Sequence, residues 1–309
     1  MCILLASSAH PKYSLILISN RDEFYERETQ HTSLDQDGFV LCPIDLALNS
    51  DGTAKRGTWC GANKDGKIAV VLNLRHNGAR QAGTCANPVF SRGSVPMRFL
   101  NDRSPFNEWN SFEKFAHKYP LIRNGDLNLF VGDCKNNKFT AMDSFGLSLP
   151  VLTAENPYLV ISNDFIDSDN KWPKRQTAEN LLRQLVTTSS NALEDQLIDQ
   201  CLKLASNSEC DENGDILKEQ LTTNSIFIPP LAAQSDPNAG ATLQCGKYYG
   251  TRSQIVILVS RSEPTMTFVE RVLHDSDNDA SAFSPAHPKQ RVMFKMSLES
   301  DRNSGSFIN

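Results

Sequence analysis

The feature that most limits the fold is the order in which two kinds of apolar pattern follow one another. Short apolar runs come first. Residues 2–8 and 15–19 are separated by Ala9-His10-Pro11-Lys12-Tyr13-Ser14 and read as a hairpin with a proline-containing connection. A strand at 67–74 follows Lys64-Asp65-Gly66, and its run Ile68-Ala69-Val70-Val71-Leu72 suits burial on both faces. Residues 127–131, 139–142 and 158–162 read as further strands, with Gly132-Asp133 and Asn136-Asn137 as turns. Helical spacing marks the middle. It places Trp109, Phe112, Phe115 and Ala116 on a helix over 107–118, and Ala178, Leu181, Leu182 and Leu185 on one over 174–186 that Pro173 can start. Leu193, Leu197, Ile198, Cys201, Leu202 and Ala205 mark a third. A hairpin over 251–260 and 265–273, turned at Ser262-Glu263-Pro264, and a strand over 292–298 close the series. Strands, then helices, then strands predict an α+β layered fold. No composition shift marks a linker, so the expectation is one domain over 1–309 with polar excursions near 206–247 and 274–289, the first with little regular structure.

At 309 residues the chain can bury most of the surface its unfolded form exposes, without staples. A net charge of −5, with no basic run interleaved with aromatics, argues against a nucleic-acid partner. The eight cysteines include no C-x-x-C pair, which removes the zinc and thioredoxin readings, and their scatter fits a reducing compartment. No run reaches the ~18 apolar residues of a membrane span. The apolar start lacks the basic region of a signal peptide and reads as a first strand, so the expected location is cytoplasmic. The six histidines show no metal spacing; His76 stands near the end of the strand at 67–74 and is a side candidate. Cys42-Pro43 reads as a free cysteine before a turn proline.

Cys2 is the residue most suited to chemistry. Methionine aminopeptidase removes Met1 before small residues, and the mature chain would then begin with a thiol and a free α-amine on one residue. With an amine pKa of about 7.7–8.0 and a thiol pKa of about 8.5, the amine can take the thiol proton near neutrality. One residue then supplies both nucleophile and base. The second strand ends in Asn20-Arg21-Asp22-Glu23-Phe24-Tyr25, and a hairpin partner returns that end to the level of Cys2. Asp22 is thereby expected to accept from the amine, and Arg21 to favour the thiolate.

Met1-Cys2-Ile3 with Asn20-Arg21-Asp22-Glu23 resembles the opening signature of the NRDE family, the transport and Golgi organisation protein 2 family. Gly57-Thr58-Trp59-Cys60-Gly61, Ala69-Val70-Val71-Leu72-Asn73-Leu74-Arg75, Ser91-Arg92-Gly93, Ile161-Ser162-Asn163 with Trp172-Pro173-Lys174, and Tyr249-Gly250-Thr251-Arg252-Ser253 resemble its later blocks, in order. Arg56 stands where relatives usually carry glycine, and Val160-Ile161 replaces Gly-Leu. The family is distantly similar to the cysteine N-terminal-nucleophile hydrolases, such as penicillin V acylase and bile-salt hydrolase. That resemblance implies a four-layer αββα sandwich of mostly antiparallel sheets. It implies Cys2 as nucleophile and base, Asp22 as the group orienting the amine, Arg21 and Arg252 as charge-tuning groups, and Asn73 and Asn163 as side-chain donors to an oxyanion. Thr58-Trp59 is expected to pack near that site. The resemblance further implies roles in Golgi organisation and protein secretion, and in haem or lipid (acyl-CoA) homeostasis. The location it implies is the cytoplasm, in association with the Golgi or mitochondria. The expected partner is a small molecule (haem, acyl-CoA or an amide substrate). Hydrolysis of a C–N amide or a thioester requires no cofactor; haem would be a transported ligand.

Overall fold

The computed structural model describes residues 2–47, 56–75, 90–208, 218–232, 246–281 and 287–298. Its strands are β1 (Cys2–Ser7), β2 (Tyr13–Phe24), β3 (Thr29–Leu34), β4 (Val40–Asp45), β5 (Cys60–Asn63), β6 (Lys67–Asn73), β7 (Leu127–Asp133), β8 (Lys138–Asp143), β9 (Ser148–Val151), β10 (Tyr158–Ile161), β11 (Leu231–Ala232), β12 (Tyr248–Ser260), β13 (Thr265–Val272) and β14 (Gln290–Ser297). Its α-helices are α1 (Ser94–Asn101), α2 (Phe112–Lys118), α3 (Pro173–Thr188), α4 (Glu194–Ala205) and α5 (Lys218–Asn224). The strands form two sheets. One runs β10-β1-β2-β12-β13-β14, with β11 also pairing β12; the other runs β3-β4-β5-β6-β7-β8-β9. The pairs that build both sheets are antiparallel.

Alternation along the first sheet decides what lies on each face. Leu4, Ala6, Leu15, Leu17, Ile255 and Ile257 join the buried side chains of the second sheet. Ile3, Leu5, Ile16, Ile18, Val256 and Leu258 point the other way and meet Ala178, Leu182, Leu197, Ile198 and Cys201 of α3 and α4. A one-residue slip of β1 would exchange these two sets, so the register that sets the level of Cys2 is strongly enforced. On the second sheet α1 packs over β5 and β6, and its Phe99 meets Trp109 edge-on at 5.6 Å.

Several elements depart from the sequence reading. The helix expected over 107–118 is split into a 3-10 turn at Phe106–Glu108 and α2, because the Ser111 hydroxyl caps a fresh helix start by accepting from Lys114 N. β3, β4, β5, β9 and α1 were not expected. Pro43 lies inside β4, where the register with β3 shifts between Gln30 and Ser33, and Pro150 lies in the edge strand β9; a proline donates nothing to a ladder and is tolerated at such places. The described parts of the 206–247 excursion contain α5 and β11, and the 274–289 excursion holds a 3-10 turn at Asp277–Ser281. Arg56, where the resemblance implies glycine, has φ 45°. Glycine enters that left-handed region freely, whereas a side chain costs about 1–2 kcal/mol there.

Candidate active site

Cys2 occupies the end of a central strand. β1 lies between β2 and β10, with Cys2 opposite Arg21 and Leu4 opposite Ile161. Continuing the second pairing brings the segment just beyond β10 to the level of Cys2. There the Cys2 nitrogen donates to Asn163 Oδ1 at 2.6 Å, and the Ser162 hydroxyl donates to the Cys2 carbonyl at 2.9 Å. The Asn163 carboxamide also donates from Nδ2 to the Asn73 carbonyl at 2.5 Å, and Arg75 N donates to the Asn163 carbonyl at 2.6 Å. Asn163, fully buried, thus joins the chain start in one sheet to the end of β6 in the other. Asn128 of β7 fixes this loop from behind, its Nδ2 donating to the carbonyls of Ser162 and Asp164 at 2.9 and 2.8 Å.

Asn163, expected as an oxyanion donor, accepts from the Cys2 nitrogen through its oxygen and donates one amide N–H to the Asn73 carbonyl. Asp22, expected to orient the amine, lies in the field of the chain-start charge. Its Oδ1 accepts from the Thr251 hydroxyl at 2.7 Å, while its backbone N–H is directed at the Cys2 sulfur. The Asp22 carboxyl is raised above its ordinary range by burial, against the opposing positive charges of the chain start and Lys174. Asn73 contributes its carbonyl to the network and leaves its side chain exposed to solvent.

The Arg21 guanidinium carbon stands over Trp59, 4.4 Å from the ring centroid, with Glu23 at 3.7 Å and Asp45 at 3.9 Å. Thr58-Trp59 is therefore part of the site's wall. Arg252 falls on a β-bulge: Thr251 pairs with Asp22 and Ser253 with Arg21, leaving position 252 as the extra residue. Its guanidinium donates to the Tyr25 carbonyl (3.1 Å), Thr29 Oγ1 (2.6 Å) and the Asp275 carbonyl (3.4 Å), so it neighbours Arg21 and braces the chain beyond β2. Asn20 faces the helices, where its Nδ2 donates to the carbonyls of Ala205 and Ile226 and closes the end of α4.

The Cys2 side chain is half-buried, and burial raises its thiol above the ordinary range. The Asp22 carboxylate adds to that rise, while the chain-start charge, the Asp22 N–H and Arg21 oppose it. Two charges that the sequence reading left without a role act on this centre. Arg92 sits where Gly57 and Gly93 touch backbone to backbone; a Cβ on Gly57 would meet the Gly93 carbonyl carbon at 2.7 Å, so both motif glycines are required for this approach. Lys174 is fully buried at the start of α3; burial lowers it below the ordinary lysine range, and the charges of Asp22 and Cys2 oppose that shift. Sequence signals for both existed in the Ser-Arg-Gly and Trp-Pro-Lys blocks. His76 lies outside the described residues. Cys42 is buried inside β4, and burial pushes its thiol up to about 12. No group of three or more His, Cys, Asp or Glu suited to a metal ion occurs among the described residues. An open groove of about 400 Å³ lies apart from Cys2, between Leu34 and Leu41 of the second sheet's edge and Phe294 and Met296 of β14.

Comparison with known sequences decides the relationship. The family model described as transport and Golgi organisation 2 matches residues 1–275. The chain belongs to this family. Among similar sequences, the Saccharomyces cerevisiae "Uncharacterized protein YGR127W" is 39% identical over 316 residues, covering 96% of this chain and 100% of the relative. The Bos taurus transport and Golgi organization protein 2 homolog is 28% identical over 271 residues, covering 86% and 88%. Among solved structures, the Caenorhabditis elegans N-acylethanolamine-hydrolyzing acid amidase ortholog superposes with a TM-score of 0.43 at 14% identity, covering 84% of this chain and 92% of that one. A likeness of that degree carries no weight for the chemistry of this transport and Golgi organisation 2 protein.

Proposed function

We propose that this protein is a cysteine hydrolase of the N-terminal-nucleophile type, acting on a C–N amide or a thioester in the cytoplasm or at the Golgi or mitochondrial surface. The observation that carries the reading is the Cys2 nitrogen held by Asn163 Oδ1 at 2.6 Å in a residue that stays partly open to solvent. Once Met1 is removed, that nitrogen is the α-amine, already fixed next to the thiol it must deprotonate. The packing of α3 and α4 on one sheet and α1 on the other supports a four-layer αββα sandwich as its frame, in one domain.

In this mechanism the free amine takes the Sγ proton and the thiolate attacks the substrate carbonyl carbon. The tetrahedral intermediate collapses as the amine returns its proton to the leaving nitrogen or sulfur, leaving an acyl thioester on Cys2. Water, deprotonated by the same amine, attacks that thioester; the acid departs and the thiol is restored. The exposed Asn73 carboxamide is the donor left for the oxyanion, a contribution worth about 2.7–4 kcal/mol in comparable sites. Acyl-CoA, through its thioester, would meet this centre as substrate and haem as transported cargo, in service of the Golgi organisation for which the family is named. Incubating the Met1-processed protein with an electrophilic acyl ester tests the reading. The expected product is a single acyl adduct on the N-terminal peptide; an unmodified Cys2 after prolonged incubation contradicts it.

A further inference from the structure

Two cations stand side by side in the first turn of α3 and are treated oppositely. Arg175 is saturated: its guanidinium donates to Asp164 Oδ2 at 2.9 Å and to the carbonyls of Val160, Phe165 and Ile166. Lys174 is 0% exposed, and among the described residues its Nζ has no hydrogen-bond partner. It lies 5.3 Å from the centroid of the Trp172 ring. Asp164, one of the carboxylates whose charge acts on Lys174, already serves Arg175 and the Trp172 N–H. Desolvating an ammonium costs several kcal/mol. Its position at a helix N-terminus adds to the cost, because the helix dipole there disfavours positive charge. A methionine would fill the same space without either cost. Packing therefore does not explain a lysine at this position.

The surrounding charges do. Cys2 and Asp22 come together at the ends of β1 and β2, so a thiolate and a carboxylate must share one poorly solvated site. Arg21 stands over Trp59 and near Glu23 and Asp45, and Arg92 feels Glu23 and Arg27 as well as Cys2. Helix α3 packs on β1 and β10, which brings Lys174 within the field of Asp22, Cys2 and Asp164, with Arg75 as the opposing cation. We propose that Lys174 is a positioning residue of the Cys2 centre: its buried, unbonded ammonium is the shared counter-ion that lets the Cys2 thiolate form beside the Asp22 carboxylate. This deepens the reading of Cys2 as nucleophile and rests on it. Asp22 and Cys2 hold the Lys174 charge against the burial that lowers it, and the proton that moves in the reaction is the thiol's, to the α-amine.

Iodoacetamide alkylation of Met1-processed protein across pH, read on the N-terminal peptide by mass spectrometry, tests this. In Lys174→Met the midpoint of Cys2 alkylation moves up by about one pH unit, with roughly tenfold slower alkylation at pH 7, while Tm stays equal or rises. Lys174→Gln gives the same upward shift. An unmoved midpoint in either folded variant overturns the proposal, and so does loss of folding in both, since a charge held for reactivity is not needed to fold. Alkylation needs no turnover, so a Lys174-dependent midpoint without any acyl adduct would sink the hydrolase reading and leave this inference standing.

Discussion

At its loop end the β1–β2 pair uses its polar groups to tie chain segments together. Arg261 donates to the carbonyls of Ser8 and His10, His10 accepts from Lys12 N and contacts the Ser189 carbonyl, and Tyr13 donates to Glu194. At its other end, about six residues along the same two strands, Lys174 is buried without a hydrogen bond among the described residues, Arg21 stands over a ring, and Asp22 and Cys2 lie within each other's field. The loop end gains stability from its polar groups. The Cys2 end holds them at a cost, and a cost borne at one place in a well-paired fold points to function.

Substitutions can break this contrast. Cys2→Ala is expected to abolish acyl-adduct formation while leaving the melting curve nearly unchanged; an adduct persisting elsewhere at the wild-type rate would contradict the assignment. Asn163→Ala removes the acceptor of the Cys2 nitrogen and the donor to the Asn73 carbonyl together. It should slow adduct formation at least a hundredfold and cost about 2–3 kcal/mol in urea unfolding, as buried groups left unpaired do.

His274 extends the comparison to pH. It is fully buried, stacked on Tyr25 at 4.0 Å, and burial lowers it to about 4. The unfolded chain therefore binds this proton first. Stability is fully present above pH 6.5 and should fall by about 1.4 kcal/mol per pH unit below it, levelling near 4. Urea midpoints against pH should show this slope, and His274→Phe, which keeps the stack, should flatten it. Arg261→Ala at the loop end carries the smallest effect. It should cost about 1 kcal/mol, because the guanidinium is exposed to solvent, and leave Cys2 alkylation unchanged at every pH.

What could be read from the sequence follows the reach of the interactions involved. The long apolar runs of β1, β2, β6, β12 and β13 declare themselves, because burial on both faces leaves an unbroken pattern. β3 (Thr-Gln-His-Thr-Ser-Leu) and the proline-bearing β4 are held by partners rather than by their own residues, and their letters do not reveal them. At the site, hairpin register alone places Arg21 and Asp22 beside Cys2. The family resemblance pointed to Asn163, yet its role as acceptor depends on where β10 pairs. Lys174, Arg92 and Asn128 reach the centre only through contacts between segments far apart in the chain. A lysine in a helix's first turn, directly after Trp172-Pro173, was the one local oddity that could have drawn attention.

The most direct measurement is the mass of the N-terminal peptide of the protein isolated from cells. The account predicts a chain beginning at Cys2 with an unblocked amine, the group Asn163 Oδ1 is placed to hold. A retained Met1, or an acetylated terminus, would leave no base beside the sulfur and would contradict it.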